Sequence, residues 1–313
     1  MSRYLVLAGG LSHERDVSLK SGRRVLDALR HVGVEADLRD ADASLLTVLA
    51  DTSYDAVLVA LHGGAGEDGA LREVLDVAEA PYVGSPPAAC RIAWDKPTAK
   101  ALALRAGLST PASVVLPHAA FRELGASAVL DRLVGHLGLP LMVKPARGGS
   151  ALGCTQVDKP DELPSAMVSC FSYGEAALVE RFVSGTEVAV TVIDTGDGPR
   201  ALPAVEIVPL SGVYDYTARY TAGQTEFFSP ARLPDTVASA VSEAAIAAHT
   251  ALGLRDLSRV DLVVDADDAV QLLEVNTAPG MTETSLLPMA VEAAGLSFGE
   301  LLRELLARAA ARG

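Results

Sequence analysis

The 313-residue chain has few cysteines, no long apolar run and little positive charge. Its three cysteines, Cys90, Cys154 and Cys170, show no CxxC spacing, so neither a disulfide framework nor a zinc site is indicated. No run approaches the roughly 18 apolar residues of a membrane-spanning helix, and the N-terminus lacks the pattern of a secretory signal peptide. We therefore expect a cytoplasmic protein with no membrane partner.

The scarcity of positive charge excludes a further class of partner. The formal net charge is -14 and the pI is about 4.8, whereas a surface that binds nucleic acid needs a positive field. Only five residues are lysines, so any bound phosphate must be met by a few placed cations. Apolar residues make up 50% of the chain, which is enough for a large core divided between two or three lobes.

The pattern of the first third predicts a parallel sheet. Apolar runs alternate with helical periods, as in βαβ units, at residues 4–8, 17–31, 55–61 and 70–80. A helical stretch over residues 86–106 breaks at Pro97, because proline lacks an amide and disfavours helix in the preceding residue. We therefore predict an α/β fold whose first lobe spans residues 1–94.

Two further lobes are predicted, over residues 95–183 and 184–313. Strands are expected at residues 113–116, 139–145, 177–183 and 187–194, and helices at residues 235–252 and from residue 298. The segment 211–233 is polar and aromatic without a period, and a connection of that length is more often functional than passive.

A predicted hairpin carries paired carboxylates. If its turn is centred between residues 267 and 268, Asp261 lies opposite Glu274 and Arg259 opposite Asn276, and all four side chains project from one face. Facing carboxylates repel unless a cation neutralises them. Oxygen ligands without His or Cys favour Mg²⁺ or Mn²⁺ over zinc. The alternative is a solvated sheet face with ordinary cross-strand charges.

Other polar residues suit phosphate and nucleoside binding, although each has an ordinary alternative. Lys144 ends a strand and precedes a glycine-rich stretch, 145–153, whose backbone amides could approach phosphate oxygens. Because the lysine comes before the glycines, this is not a Walker A motif. The strand 180–183, followed by Glu187, offers acidic groups to an adenine amine and ribose hydroxyls, and Lys96 could equally be a helix-end charge.

Six segments, in order, resemble the ATP-grasp enzymes and, among them, the D-alanine:D-alanine ligases. They are residues 9–18, 61–69, 95–96, 144–153, 214–220 and 274–286. The resemblance implies an ATP-grasp fold with an N-terminal parallel-sheet lobe, and commonly a homodimer. It implies that ATP phosphorylates the carboxylate of one D-alanine, after which the amine of a second D-alanine attacks the acyl phosphate.

The resemblance also implies a role for each matching residue. The groups expected to contact ATP are Lys96, Lys144, Glu180, Phe182, Val183, Glu187 and Arg219. Two magnesium ions would be bound by Asp261, Glu274 and Asn276, while Arg259 and the amide of Gly280 would stabilise the oxyanion of the tetrahedral intermediate.

The substrates would be held by a second set of residues. Glu14 and His62 would lie at the first amino acid, and Ser285 and Leu286 at the second. Ser150 and Tyr220 would join Glu14 in closing the loop over the site, and the tyrosine favours an amine nucleophile over a hydroxyl. Without the resemblance, Glu14 would be an acidic residue in the first turn of a helix and His62 a turn residue.

Three positions depart from the commonest pattern of the family. Gly148 replaces a frequent glutamate, Ala151 replaces a frequent serine, and Arg219 stands where lysine is usual, which concerns ATP affinity and loop closure more than the reaction class. Three alternative functions stay open. They are a ligase of the same mechanism with another dipeptide product, a silent ATP-binding protein, and a dehydrogenase, the last disfavoured because no GxGxxG follows Gly9.

Overall fold

A computed structural model describes residues 2–221 and 223–313, with the side chain of Tyr220 outside the described part. The first part forms a parallel sheet with strand order β2-β1-β3-β4. Its elements are β1 (Arg3–Ala8), α1 (Arg15–His31), β2 (Glu35–Asp40), α2 (Leu45–Asp51), β3 (Ala56–Val59), α3 (Ala70–Val77) and β4 (Tyr82–Val83). The predicted parallel sheet is confirmed, while β2, α2 and β4 were not predicted.

The second part forms an antiparallel sheet of order β5-β8-β6-β7. Its elements are α4 (Pro87–Trp94), α5 (Lys96–Arg105), β5 (Ser113–Pro117), α6 (His118–Leu124), α7 (Ala126–Leu137), β6 (Leu141–Pro145), β7 (Thr155–Val157), α8 (Leu163–Phe171) and β8 (Ala176–Arg181). The helix break lies at Asp95, whose side chain caps α5 by accepting from the Thr98 amide at 3.1 Å. Pro97 fits the first turn of α5, where its missing N–H has no helical partner to lose.

The third part forms a second antiparallel sheet, of order β12-β11-β9-β13-β14, with β10 paired to β9. Its elements are β9 (Thr186–Ile193), β10 (Arg200–Ala201), β11 (Val205–Pro209), α9 (Tyr216–Tyr220), β12 (Thr225–Phe228), α10 (Asp235–Ala251), β13 (Leu257–Val264), β14 (Val270–Asn276), α11 (Leu286–Ala293) and α12 (Phe298–Ala310). Segment 211–233 is therefore not wholly irregular, because it contains α9 and β12.

The C-terminal helix α12 packs against α1, near the N-terminal end of the chain. Its buried leucines, including Leu302 and Leu305, share one core cluster with Leu29 of α1 and Ile193 of β9. Helix α12, from the C-terminal end of the chain, packs on strands β3 and β4 of the first sheet. The predicted lobe boundaries at residues 94 and 183 remain predictions. No helix within the described residues combines the length and apolar character needed to cross a membrane.

Candidate active site

Two adjoining cavities of about 910 and 130 Å³ bring the predicted site together. All the predicted site residues except Tyr220, whose side chain is outside the described part, line one cavity or both. The larger cavity takes Glu14, His62, Ser150, Arg259, Asn276, Gly280, Ser285 and Leu286. The smaller takes Lys144, Glu180, Phe182, Val183, Glu187 and Asp261. Lys96, Arg219 and Glu274 line both, so the two predicted binding regions meet at these three charges.

The hairpin has the predicted pairing. Strands β13 and β14 place Arg259 opposite Asn276 and Asp261 opposite Glu274. The predicted turn position is wrong by half a residue, because Val264 pairs with Val270 and the turn is therefore centred on residue 267. A bulge between residues 261 and 262 changes the register and restores the predicted pairs. Bulges are common next to active sites, where they re-aim side chains.

Asp261 has a protein cation as its partner. Arg259 Nε and Nη2 donate to Asp261 Oδ1 and Oδ2 at 2.7 and 2.8 Å, and both residues are buried. Such a two-pronged pair is strong and fixes the guanidinium plane. From the sequence we had expected a metal ion to neutralise Asp261, but Arg259 already supplies a positive charge to this carboxylate.

Glu274 lies at the junction of the two cavities and is ionised. Burial alone would raise the pKa of this carboxyl group, but Lys96, Arg219, Lys144 and Arg259 outweigh burial and lower the pKa to about 2. Lys96 Nζ is 3.5 Å from Glu274 Oε2. The carboxylate therefore faces several cations within a site built for negative charge.

The oxygen ligands of the hairpin suit a magnesium ion that is partly bound by water and phosphates. They do not form a metal site made of protein ligands alone. Within the described residues, no group of three or more His, Cys, Asp or Glu side chains is arranged to hold a metal ion. Magnesium, however, is usually bound through one or two carboxylates together with water and substrate phosphates. Asp261 and Glu274 supply carboxylates, and Asn276 supplies an amide oxygen that also accepts from the Ala278 amide at 2.8 Å. These oxygens border the cavities in which phosphates would lie.

The smaller cavity is lined by charged side chains of both signs and by an apolar stretch. Lys144 Nζ is 2.5 Å from Glu180 Oε1, and Glu180 and Glu274 outweigh burial and raise the pKa of Lys144. Burial raises the pKa of Glu187, with Arg219 opposing it. Next to these charges, Phe182 and Val183 line the cavity, so the pocket suits a flat polar ring joined to an anion.

The glycine-rich loop joins the second part to the first. Ser150 has a φ of 52°, a left-handed backbone conformation that residues other than glycine rarely adopt. Its hydroxyl donates to Glu14 Oε1, and Lys96 Nζ donates to the Gly148 carbonyl at 2.6 Å. A Cβ atom at Gly63 would overlap Glu14 Oε2, so the glycine leaves room for this carboxylate. The predicted contact between Glu14 and Ser150 is thus present.

His62 is held by hydrogen bonds to protein groups. Its Nδ1 is 3.0 Å from the Ala278 carbonyl and its Nε2 is 2.8 Å from Ser21 Oγ. Because a carbonyl oxygen only accepts, Nδ1 carries the proton and Nε2 accepts from the serine. Burial lowers the pKa of His62, which keeps the ring neutral. Ser21 Oγ in turn accepts from the Met281 amide at 3.2 Å, so this chain of bonds fixes the loop that contains Gly280.

Arg219 is held by an aromatic partner. Its guanidinium carbon lies 4.3 Å from the centre of the Tyr214 ring, and its Nε donates to the Tyr214 carbonyl at 3.3 Å. Opposing the effect of burial, Glu274 and then Tyr214 raise the pKa of Arg219. The planar guanidinium of arginine can stack on the tyrosine ring, whereas the compact ammonium group of lysine cannot stack in this way.

Two residues near the site were not predicted. Glu67 is buried and lines the larger cavity; it accepts from the Gly63 amide at 2.8 Å. Lys100 is buried beside Glu180. The first belongs to a segment that carried the resemblance, and the second follows Lys96 by four residues, so both positions offered a signal.

Comparisons with known proteins find relatives over nearly the whole chain. The family model described as D-ala D-ala ligase C-terminus matches residues 102–307. A D-alanine–D-alanine ligase from Bordetella petrii is 42% identical over 307 residues, covering 98% of this chain and 92% of its own length. One from Anaeromyxobacter sp. is 43% identical over 310 residues, with coverages of 98% and 97%.

Solved structures of such enzymes have the same fold. D-alanine–D-alanine ligase from Bacillus anthracis complexed with ATP matches with a TM-score of 0.81 and 28% identity, covering 100% of this chain and 98% of that chain. The VanG D-Ala:D-Ser ligase from Enterococcus faecalis matches with a TM-score of 0.84 and 28% identity, with coverages of 98% and 99%. The predicted ATP-grasp fold is confirmed, and similarity over nearly the whole length shows that this chain belongs to the D-alanine:D-alanine ligase family.

Proposed function

We propose that this protein is a cytoplasmic, ATP-dependent ligase that joins two D-alanine molecules for peptidoglycan precursor synthesis, acting as a homodimer. The observation that carries this proposal is the meeting of two cavities at Lys96, Arg219 and Glu274. One cavity has the polar and apolar lining of a nucleotide pocket, and the other has room for two small amino acids. Relatives at about 42% identity that bear the name of this activity support the assignment.

In the first step, a carboxylate oxygen of one D-alanine attacks the γ-phosphorus of ATP, the bond to the β-phosphate oxygen breaks, and ADP leaves. Such a transfer depends on positioning and on neutralised charge more than on covalent help from the protein. Lys96, Lys144 and Arg219 are placed to hold the phosphates. Magnesium or manganese held by Asp261, Glu274 and Asn276 would add positive charge at the phosphate oxygens.

In the second step, the amine of the second D-alanine attacks the carbonyl carbon of the acyl phosphate. The tetrahedral intermediate then collapses, and the departing inorganic phosphate takes up the proton that the amine loses. Arg259 is fixed by Asp261, and the Gly280 loop is fixed through His62 and Ser21, so the predicted oxyanion donors need little reorganisation. Ser285 and Leu286, at the start of α11, would bind the second substrate.

Water must be kept from the acyl phosphate. The Ser150 hydroxyl donates to Glu14 across the interface between two parts of the chain, and we propose that this contact helps to close the site. Tyr220 is assigned to the same closure by sequence alone.

The test is phosphate release from ATP and magnesium, with D-alanine, L-alanine, D-serine or D-lactate as substrate and with the product identified by mass. We expect release with D-alanine and formation of D-alanyl-D-alanine. If D-alanyl-D-serine formed faster than D-alanyl-D-alanine, the second substrate would be assigned as D-serine. ATP binding without release in any mixture would contradict the enzyme assignment and favour a silent homologue.

A further inference from the structure

A third lysine completes a buried charge cluster behind the smaller cavity. Lys96 and Lys100 are four residues apart on α5 and so lie on the same face of that helix. Lys100 Nζ is 2.5 Å from Glu180 Oε2 and donates to the Pro111 carbonyl at 3.0 Å. Lys144 Nζ is 2.5 Å from the other carboxylate oxygen, Glu180 Oε1. One carboxylate therefore joins two ammonium groups, and we call Lys100, Glu180 and Lys144 the lysine–glutamate cluster.

Two members of the cluster lie in the sheet β5-β8-β6-β7 and the third lies on α5, and all three side chains are buried. Strand β8 carries Glu180 and pairs with β6, so that Met142 is opposite Glu180 and Lys144 lies two residues further along. The exposed fractions are 4% for Lys100, 2% for Glu180 and 7% for Lys144. Among the described residues that line the smaller cavity are Lys144 and Glu180 but not Lys100. Lys100 therefore does not touch a ligand in that cavity, and the cavity-lining carboxylate that it contacts is Glu180.

The charges of the cluster do not cancel. Alone, Glu180 would neutralise Lys144, whereas with Lys100 present two positive charges face one negative charge. Burial lowers the pKa of Lys100, and Glu180 opposes that effect. An uncompensated charge in a poorly solvated place is unfavourable unless a group of opposite sign faces it. Lys144 and Glu180 both line the cavity, so the positive charge that remains in the cluster is presented there.

We propose that Lys100 is a positioning residue for the nucleotide: it offsets the charge of Glu180, so that Lys144 keeps a net positive charge for the phosphates. The same contact fixes Glu180 in one orientation, because each of its oxygens has its own ammonium donor. This role rests on the proposed ATP-dependent function and adds to it a residue that does not touch the ligand. With Lys96, three of the five lysines in an acidic chain lie at this one site.

A simpler role for Lys100 would be to satisfy Glu180 and the Pro111 carbonyl as a structural group. The two roles differ in what they predict for nucleotides with different numbers of phosphates. A charge effect grows from AMP to ADP to ATP, since each phosphate adds negative charge. A structural effect displaces the whole pocket and weakens adenosine as much as ATP.

The experiment compares dissociation constants for adenosine, AMP, ADP and ATP by titration calorimetry. The variants are Lys100→Gln, which keeps a hydrogen-bond donor without charge, Lys100→Arg, which keeps the charge, and the double variant Lys100→Gln with Glu180→Gln. Lys159→Gln is the matched control, because Lys159 is an exposed lysine of the same part of the chain. Circular dichroism checks that each variant is folded.

We expect Lys100→Gln to weaken ATP about tenfold or more, ADP less and adenosine little, with a higher KM for ATP and a nearly unchanged kcat. Lys100→Arg should stay close to wild type. The double variant should regain the dependence on phosphate number, because Lys144 alone again gives the cluster one positive charge. If Lys100→Gln alone does not fold, the double variant still decides, since it leaves no unpaired carboxylate.

Three results would overturn the role of Lys100, two of them in the single variant. These are a folded Lys100→Gln variant that binds ATP like wild type, or one that weakens adenosine and ATP equally. In the double variant, loss of the dependence on phosphate number would do the same. Wild-type protein that binds no ATP would instead overturn the proposed function itself, so the two failures are distinguishable.

Discussion

Replacing Glu67 with glutamine is expected to stabilise the folded protein above neutral pH. Burial, followed by the nearby charge of Glu14, raises the pKa of Glu67 from 4.5 to about 7. The folded protein therefore binds this proton more tightly than the unfolded chain does. Folding stability falls as the pH rises from 4.5 to about 7, because the ionised carboxylate is disfavoured only in the folded state.

The size of the effect follows from the two pKa values. A tenfold change in proton affinity corresponds to about 1.4 kcal/mol, so the ionised form of Glu67 destabilises the folded state by about 3 kcal/mol above pH 7. Glutamine has no such ionisation. Its side-chain oxygen can still accept from the Gly63 amide, which in the wild type donates to Glu67 Oε1 at 2.8 Å.

The assay is urea unfolding of wild type and Glu67→Gln, followed by circular dichroism from about pH 5 to pH 8. The stability difference in favour of the variant should widen through this range and level off above pH 7. Glu304→Gln, at an exposed position of α12, is the control and should show no such widening. A difference independent of pH, or a variant less stable than wild type at pH 8, would refute the reasoning.

Three further predictions concern single side chains. Arg259→Lys should keep ATP binding but reduce ligation about 100-fold, because it loses the guanidinium fork held by Asp261; turnover near the wild-type rate would exclude Arg259 from the mechanism. Glu274→Gln should raise the magnesium concentration needed for half-maximal phosphate release about tenfold or more, and an unchanged metal titration would count against the hairpin site. Asp256→Asn should destabilise the protein by about 2 kcal/mol in urea unfolding, less than the roughly 3–5 kcal/mol of a fully buried pair because its partner Arg312 is partly exposed; an unchanged midpoint would contradict this.

The hairpin shows why a site can be predicted when its details cannot. Alternation along β13 and β14 fixes which side chains share a face, and this predicted the pairs at Asp261 and Arg259. The bulge beside Asp261 could not be read from the sequence, and the predicted register was right only because the bulge offset a misplaced turn. The ion pair between Arg259 and Asp261 was missed because the opposing strand was expected to supply the partners.

Other elements were missed for physical reasons that differ. Strand β2 is partly exposed at the edge of its sheet, and only two of its six residues, Ala36 and Leu38, are apolar, so its alternation is too short to stand out. Helix α9 is five residues long and is capped by Asp215, which accepts from the Ala218 amide, and a helix of that length has no detectable period. Lys100 and Glu67 lie at positions that offered a signal, but no local pattern reports their contacts with distant parts of the chain.

The most direct test of the proposed reaction follows the oxygen atoms. D-alanine labelled with ¹⁸O in its carboxylate is incubated with the enzyme, ATP and magnesium, and the released phosphate is analysed by mass. An acyl phosphate route transfers one labelled oxygen to phosphate for each dipeptide formed, because the oxygen that attacks phosphorus leaves with it. Dipeptide formation with unlabelled phosphate would contradict the account.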